Sequence, residues 1–178
     1  MSDILEFGIK RENEERRDGG CAVVFDPVSQ KYAAYRNLKN NMLGLYGGGF
    51  DENEDEEKGV LRELTEESGL YDFLYVEKVD KVLTHYFNFN KKKNRLALAT
   101  CFLVILKSTK LQATKFETHE EFELKWVTPQ DLFSIWEAYK EDKNYDHWIY
   151  FLKKAVNRAI ELGYDKTSRG LPSGKYEK

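Results

Sequence analysis

The chain has 178 residues, 41% of them hydrophobic and 14% aromatic, enough to bury one substantial core in a single domain. A net charge of −3 and a pI near 5.8 weigh against a general nucleic-acid binder, which needs a basic stripe to neutralise phosphates. No apolar run is long enough to span a bilayer and the amino terminus is acid-rich, unlike a signal peptide; Cys21 and Cys101 sit in apolar strand-like runs without C-x-x-C spacing, so a reduced, cytoplasmic protein without a membrane segment is expected.

Residues 1–10 carry a short apolar alternation, Ile4, Phe7 and Ile9, which predicts a strand or turn covering a domain edge before charged residues 10–18 and the flexible Gly19-Gly20. Residues 21–25 and 31–37 are β-rich runs on either side of Asp26-Pro27-Val28-Ser29-Gln30, a hairpin signature. Arg36 and Lys39 stand just ahead of a glycine run, within reach of a phosphate held there, although basic residues at strand ends are also ordinary surface features.

Residues 48–70 read GGFDENEDEEKGVLRELTEESGL. At about 100° per residue, Glu63, Glu66 and Glu67 share an arc of about 100°, with Glu56 on the same side, while Val60, Leu61, Leu64 and Ser68 form a separate stripe about 120° away. The helix docks by its apolar stripe and presents carboxylates. Asp55 is a good N-cap, Asn53 with Glu56 would make a capping box instead, and Gly69 suits the stop. Four like charges on one face repel, and a cation removes that cost; hard divalent ions favour carboxylate and carbonyl oxygens. Gly47-Gly48-Gly49 allows backbone to approach an ion or phosphate closely.

Residues 71–89 alternate as a strand, 90–94 are a polar hairpin connection, and 96–106 read as a strand buried on both faces. The lysines at 91–93 are expected to be a solvated tip rather than a steering patch, and His85 a packed strand residue outside the chemistry. Residues 117–127 are acid-rich and end in a strand; Thr128 then caps a helix that starts at Pro129 and runs to about residue 139. Residues 146–162 form an amphipathic helix that closes the domain. Trp136, Tyr139, Tyr145 and Trp148 are expected in the core or in a contact between two copies, as in a homodimer, rather than in base stacking. The tail 165–178 is expected to be mobile, leaving one domain over 1–164.

Gly48, Glu54, Arg62, Glu63, Leu64, Glu66, Glu67, Gly69 and Leu70 fill every fixed position of G-x5-E-x7-R-E-U-x-E-E-x-G-U, with U apolar, so the chain resembles a Nudix hydrolase. With ordinary residue frequencies the chance of such a match is on the order of 10⁻⁷. Tyr46, Asp51 and Asn53 stand where many members have proline, glutamate and glycine; asparagine tolerates the left-handed backbone that glycine would adopt.

The resemblance implies an α/β fold, an α/β/α sandwich with a mixed sheet, as layer packing also suggests. It implies hydrolysis of a phosphoanhydride bond in a nucleoside diphosphate derivative: a nucleoside triphosphate, a nucleotide sugar or a dinucleoside polyphosphate. Mg²⁺, or Mn²⁺ in its place, would be held by Glu63, Glu66, Glu67 and the carbonyl of Gly47. Gly48, with Arg36 and Lys39, would face the phosphates. Arg62 would fix a carboxylate with Glu54 supporting it. The general base would be Glu66 or a glutamate of the 117–123 segment: Glu120 first, six residues ahead of Trp126, then Glu121 or Glu123. The alternatives are a Nudix-like sensor that binds a nucleotide without cleaving it and, less well supported, an isoprenoid diphosphate isomerase. RNA cap removal is chemically open but lacks a basic surface to support it.

Overall fold

Alternation along two central strands sets the layering. The structure is a computed structural model that describes residues 3–117 and 120–171. Its elements are β1 (Glu6–Gly8), β2 (Glu15–Arg16), β3 (Gly19–Asp26), β4 (Lys31–Asn37), β5 (Leu43–Gly44), β6 (Tyr46–Gly49), α1 (Glu56–Ser68), β7 (Phe73–Asn88), β8 (Lys93–Leu106), β9 (Phe122–Val127), α2 (Pro129–Glu137) and α3 (Asp146–Glu161). On β3 and β8, Cys21, Val23, Phe25, Cys101, Leu103 and Ile105 point into a core shared with α2 and α3. Their neighbours Ala22, Val24, Phe102, Val104 and Leu106 point the other way, against Val60 and Leu64 of α1. Both faces of the sheet are therefore covered, and the fold is an α/β/α sandwich.

The sheet is mixed, in the order β1-β7-β8-β3-β4-β5, with β2 on β8, β6 on β3 and β9 on β4. β3 and β8 run parallel from Gly19↔Ala99 to Phe25↔Ile105. Along its other edge β3 forks, pairing Gly19 to Ala22 with β6 and Val24 to Asp26 with β4. That fork delivers the glycines of β6 beneath α1. Leu64 is fully buried there, and its truncation to alanine would cost about 2–5 kcal/mol.

Local signals act as their chemistry requires. Asp26 turns the first hairpin by accepting the N–H groups of Val28 and Ser29 at 3.1 and 3.0 Å. Thr128 and Asp131 form a capping box at α2, with Pro129 in the first turn. The tail expected to be mobile from Asp165 is held at its root, where Asp165 accepts the Tyr32 hydroxyl at 2.7 Å and Leu171 is buried; residues 172–178 lie outside the described residues. Among the described residues no helix is long and apolar enough to cross a membrane.

Candidate active site

Helix α1 is oriented before any of its acids can act. Asp55 caps it, accepting the Lys58 N–H at 3.1 Å, while Asn53 takes the left-handed conformation at φ 60° rather than capping. Gly69, at φ 81°, ends it by donating its N–H to Thr65 O. With Val60 and Leu64 in the core, Glu63, Glu66 and Glu67 come to the rim of a cleft. Glu56 does not join them: Lys78 and Lys81 of β7 hold it at 2.8 and 2.5 Å.

Arg62 is the hub. Its Nε and Nη2 donate to the two oxygens of Glu54 at 2.8 and 3.0 Å, and its Nη1 donates to Glu63 at 2.9 Å and Glu66 at 3.4 Å. Glu54 also accepts the Asp51 N–H at 2.9 Å. The guanidinium first, and that N–H second, hold the Glu54 carboxyl at about 2. Glu54 first, and Glu63 with it, push Arg62 further up against its burial, so the pair is charged at any working pH.

Glu67 is the most enclosed of the acids, 6% exposed, with Oε2 accepting the Gly47 N–H at 3.3 Å. Burial, then the charges of Glu120 and Glu63, push its carboxyl well above the usual range. Glu63 is raised by burial against the pull of Arg62. Phe50 N–H bonds Asp18 O at the end of the β3–β6 ladder, and bonded and unbonded pairs alternate in an antiparallel ladder. Gly48 therefore bonds to β3, while Gly47 turns its N–H and C=O to the opposite edge, toward α1. A Cβ on Gly48 would fall 2.5 Å from Glu63 Cδ, so its absence lets Glu63 lie against the strand.

This donor set fits a hard divalent cation in kind: the enclosed Glu67 carboxylate, which has no cation beside it among the described residues, the Glu63 and Glu66 carboxylates next to it, and a backbone carbonyl on the same edge. Among the described residues, however, no three such groups stand together at ion-holding distance. The Arg62 guanidinium supplies the positive charge between Glu63 and Glu66 instead.

The cleft has a volume of about 470 Å³. It brings together Gly47, Gly48, Arg62, Glu63, Glu66, Glu67 and Glu120, with Glu54 behind Arg62. It does not bring in Arg36 or Lys39. Arg36 lies across from Glu123 on β9 and pairs with it at 2.5 Å, and its Nε is buried without a partner among the described residues. Glu123 also takes Lys125 at 2.9 Å, and neither it nor Glu121 lines the cleft. Thr118 and His119, within the segment that was expected to supply a base, lie outside the described residues.

Several lining residues escape sequence reasoning. Arg17 lies over Gly49, whose added Cβ would meet Arg17 Nε at 2.4 Å, and Lys115 enters beside Glu66 through its N–H to Glu66 O at 2.6 Å. Lys91 of the hairpin tip reaches Glu117 across the mouth, at 3.7 Å. The far wall is aromatic, with Tyr86 and Phe87 facing Tyr145, His147 and Trp148. Of the four aromatics expected in the core or a dimer contact, Trp136 is in the core, Tyr145 and Trp148 pack against it while also lining the cleft, and Tyr139 is exposed. No spacing in the chain signals this wall, because it joins β7 to the start of α3. His85 is packed, as expected, with carboxylates at both ring nitrogens, Glu14 at 2.9 Å and Glu6 at 2.8 Å.

A mixed-sheet sandwich with an acidic, arginine-braced helix docked on a glycine strand is an α/β/α domain with a carboxylate-lined cleft. The model of the NUDIX domain matches residues 16–149, and the chain belongs to the Nudix hydrolase family, whose members generally use divalent metal cations. Curated proteins give no match to the sequence. Among solved structures, the Nudix domain of Shewanella oneidensis NrtR, complexed with ADP ribose, is 19% identical with a TM-score of 0.59, over 82% of this chain and 89% of that one. A Nudix hydrolase from Listeria monocytogenes is 20% identical with a TM-score of 0.60, over 83% and 96%. A C. elegans Ap4A hydrolase is 17% identical with a TM-score of 0.53, over 82% and 99%. At these identities the likeness is one of fold.

Proposed function

We propose that the protein is a Mg²⁺-dependent pyrophosphohydrolase that cleaves a phosphoanhydride bond in a nucleoside diphosphate derivative, such as a nucleoside triphosphate, a nucleotide sugar or a dinucleoside polyphosphate. The observation that carries this is the enclosure of Glu67 against the Gly47 N–H with Glu63 and Glu120 beside it. Burying like charges together without a compensating cation is costly, and a metal-binding site gives that arrangement a purpose.

Glu63, Glu66, Glu67 and the Gly47 carbonyl are the groups that would hold the cation. When bound, it neutralises the diphosphate oxygens and makes a water more acidic. Arg62 holds Glu63 and Glu66 in place from behind, braced by Glu54. Gly48, whose missing Cβ leaves room for Glu63, would face the phosphates. Glu120 lines the same cleft, which supports it as the group that takes the proton from water as its oxygen attacks phosphorus and the bridging P–O bond breaks. Arg17 and Lys115 line the same cleft and add positive charge to it.

Binding without cleavage is the competing reading, favoured by the lack of three acids at ion-holding distance among the described residues. One experiment decides: nucleoside triphosphates, nucleotide sugars and dinucleoside polyphosphates are incubated with Mg²⁺ and the products weighed. Cleavage by the wild type, lost in Glu67→Gln, supports the hydrolase. Binding with no product from any of these substrates overturns it.

A further inference from the structure

The cleft has two chemically different ends, and only the acidic one is used by the reaction. We propose that the aromatic end is a nucleobase subsite, in which His147 Nε2 donates a hydrogen bond to an in-plane acceptor of the base and Thr84 sets the tautomer that makes this donor. The proposal rests on the reading that a nucleoside derivative occupies this cleft.

His147 sits in the first turn of α3 and is 8% exposed, yet it lines the cleft. Its Nδ1 is 3.2 Å from Thr84 Oγ1. Thr84 is 1% exposed, and among the described residues its hydroxyl has no other side-chain or backbone partner. A buried hydroxyl must place its proton somewhere, and donation to Nδ1 is the arrangement that satisfies it. The imidazole proton then belongs on Nε2, which has no protein partner among the described residues. Burial holds the ring neutral, its pKa lowered to about 4. This end of the cleft therefore offers a donor without a charge, suited to a carbonyl or ring nitrogen rather than a phosphate.

The surroundings select a flat ligand. The His147 ring lies 6.2 Å from that of Tyr86 and 6.0 Å from that of Trp148, and Tyr145 is 5.7 Å from Trp148. Aromatic side chains stack on any base by its π-face. Asn144, the nearby amide, is already engaged: its Oδ1 accepts the Phe87 N–H at 3.1 Å and Arg11 Nη2 at 3.2 Å, and its Nδ2 donates to Phe87 O at 3.4 Å. A hexose would bring a ring of hydroxyls to a mostly aromatic wall, where besides His147 only a few polar atoms such as the Tyr86 and Tyr145 hydroxyls stand among the described lining residues, too few to pair them all. A nucleobase brings two apolar faces and a few edge acceptors.

The four ribonucleoside 5′-monophosphates, which contain no anhydride, are titrated without divalent cation into the wild type, His147→Phe, His147→Gln and Thr84→Val. At least one binds the wild type. That binding falls about tenfold or more in His147→Phe, is largely restored in His147→Gln, which keeps a donor, and weakens several-fold in Thr84→Val. Imidazole ¹⁵N shifts place the proton on Nε2 in the wild type and shift it toward Nδ1 in Thr84→Val. Failure of all four to bind, wild-type affinity in His147→Phe, or a proton on Nδ1 in the wild type overturns the proposal. Binding that depends on His147 in a protein with no phosphoanhydride turnover sinks the hydrolase reading alone; turnover with binding indifferent to His147 sinks the subsite alone.

Discussion

Arg62 and Glu54 meet fork to fork, Nε on Oε1 at 2.8 Å and Nη2 on Oε2 at 3.0 Å, eight residues apart in sequence. The pair closes the loop ahead of α1 onto the helix and leaves Nη1 free to hold Glu63 and Glu66. Lysine has one compact charge and cannot reproduce that geometry.

Arg62→Lys should therefore lower turnover about 10- to 100-fold, as loss of a group that orients ligands usually does. It should also change the acid limb of stability. Glu54 is held at about 2, below its ordinary 4.5, so its contribution is fully present above about 4.5 and is lost as pH falls toward 2. Urea unfolding between pH 5 and 2.5 should show a steeper loss in the wild type than in Arg62→Lys, and equal slopes would contradict the assignment.

Glu67 shifts in the opposite direction. A buried acid raised above its ordinary value costs stability wherever it is ionised, so the cost grows as pH rises and vanishes as it is protonated. Without metal, Glu67→Gln should melt at or above the wild-type temperature at pH 8, with the gap closing toward pH 5. Mg²⁺ should raise the wild-type Tm and leave that of the variant unchanged, while activity falls about a hundredfold or more. Thermal melts across pH, with and without Mg²⁺, check this.

Neighbouring glycines should separate folding from chemistry. An alanine Cβ at position 47 would fall 2.1 Å from Gly20 O, which is backbone, whereas at 48 it would meet the end of the Glu63 side chain at 2.5 Å. Gly47→Ala is expected to lose several degrees of Tm or fail to fold. Gly48→Ala is expected to stay within about 1 kcal/mol of wild-type stability, because the carboxylate can move, yet to lose about tenfold or more in turnover. Equal stability of the two variants would be the contrary result.

The base is tested by three amide substitutions. Glu120 lines the cleft; Glu121 and Glu123 do not. Glu120→Gln should reduce kcat by about 10² to 10⁴ and remove the acid limb of the pH–rate profile, with Glu121→Gln and Glu123→Gln near the wild-type rate. A wild-type rate in Glu120→Gln would move the role to Glu66.

Much of the fold could be read along the chain. Apolar runs placed β3 and β8 in the interior, and Asp55, Gly69 and Thr128 marked helix ends by local hydrogen bonding that needs no distant partner. Arg36 shows where such reading stops. Its closeness in sequence to the glycines suggested a phosphate contact, yet β4 carries it to the β9 edge and onto Glu123, because a strand turns successive side chains to opposite faces. Glu56 likewise shares a helix face with the other acids but is claimed by two lysines of β7.

By itself the sequence determined the acidic helix, its glycine stop, the arginine beside Glu63 and the glycines before it, since helix periodicity and fixed spacing place these groups relative to one another. Only the tertiary structure decided which acids face the cleft, that Arg17 and Lys115 join them there, and that His147 meets Thr84 on an aromatic wall. Those neighbours lie on elements far apart in the chain, and their meeting depends on sheet order and strand register, which no local pattern encodes.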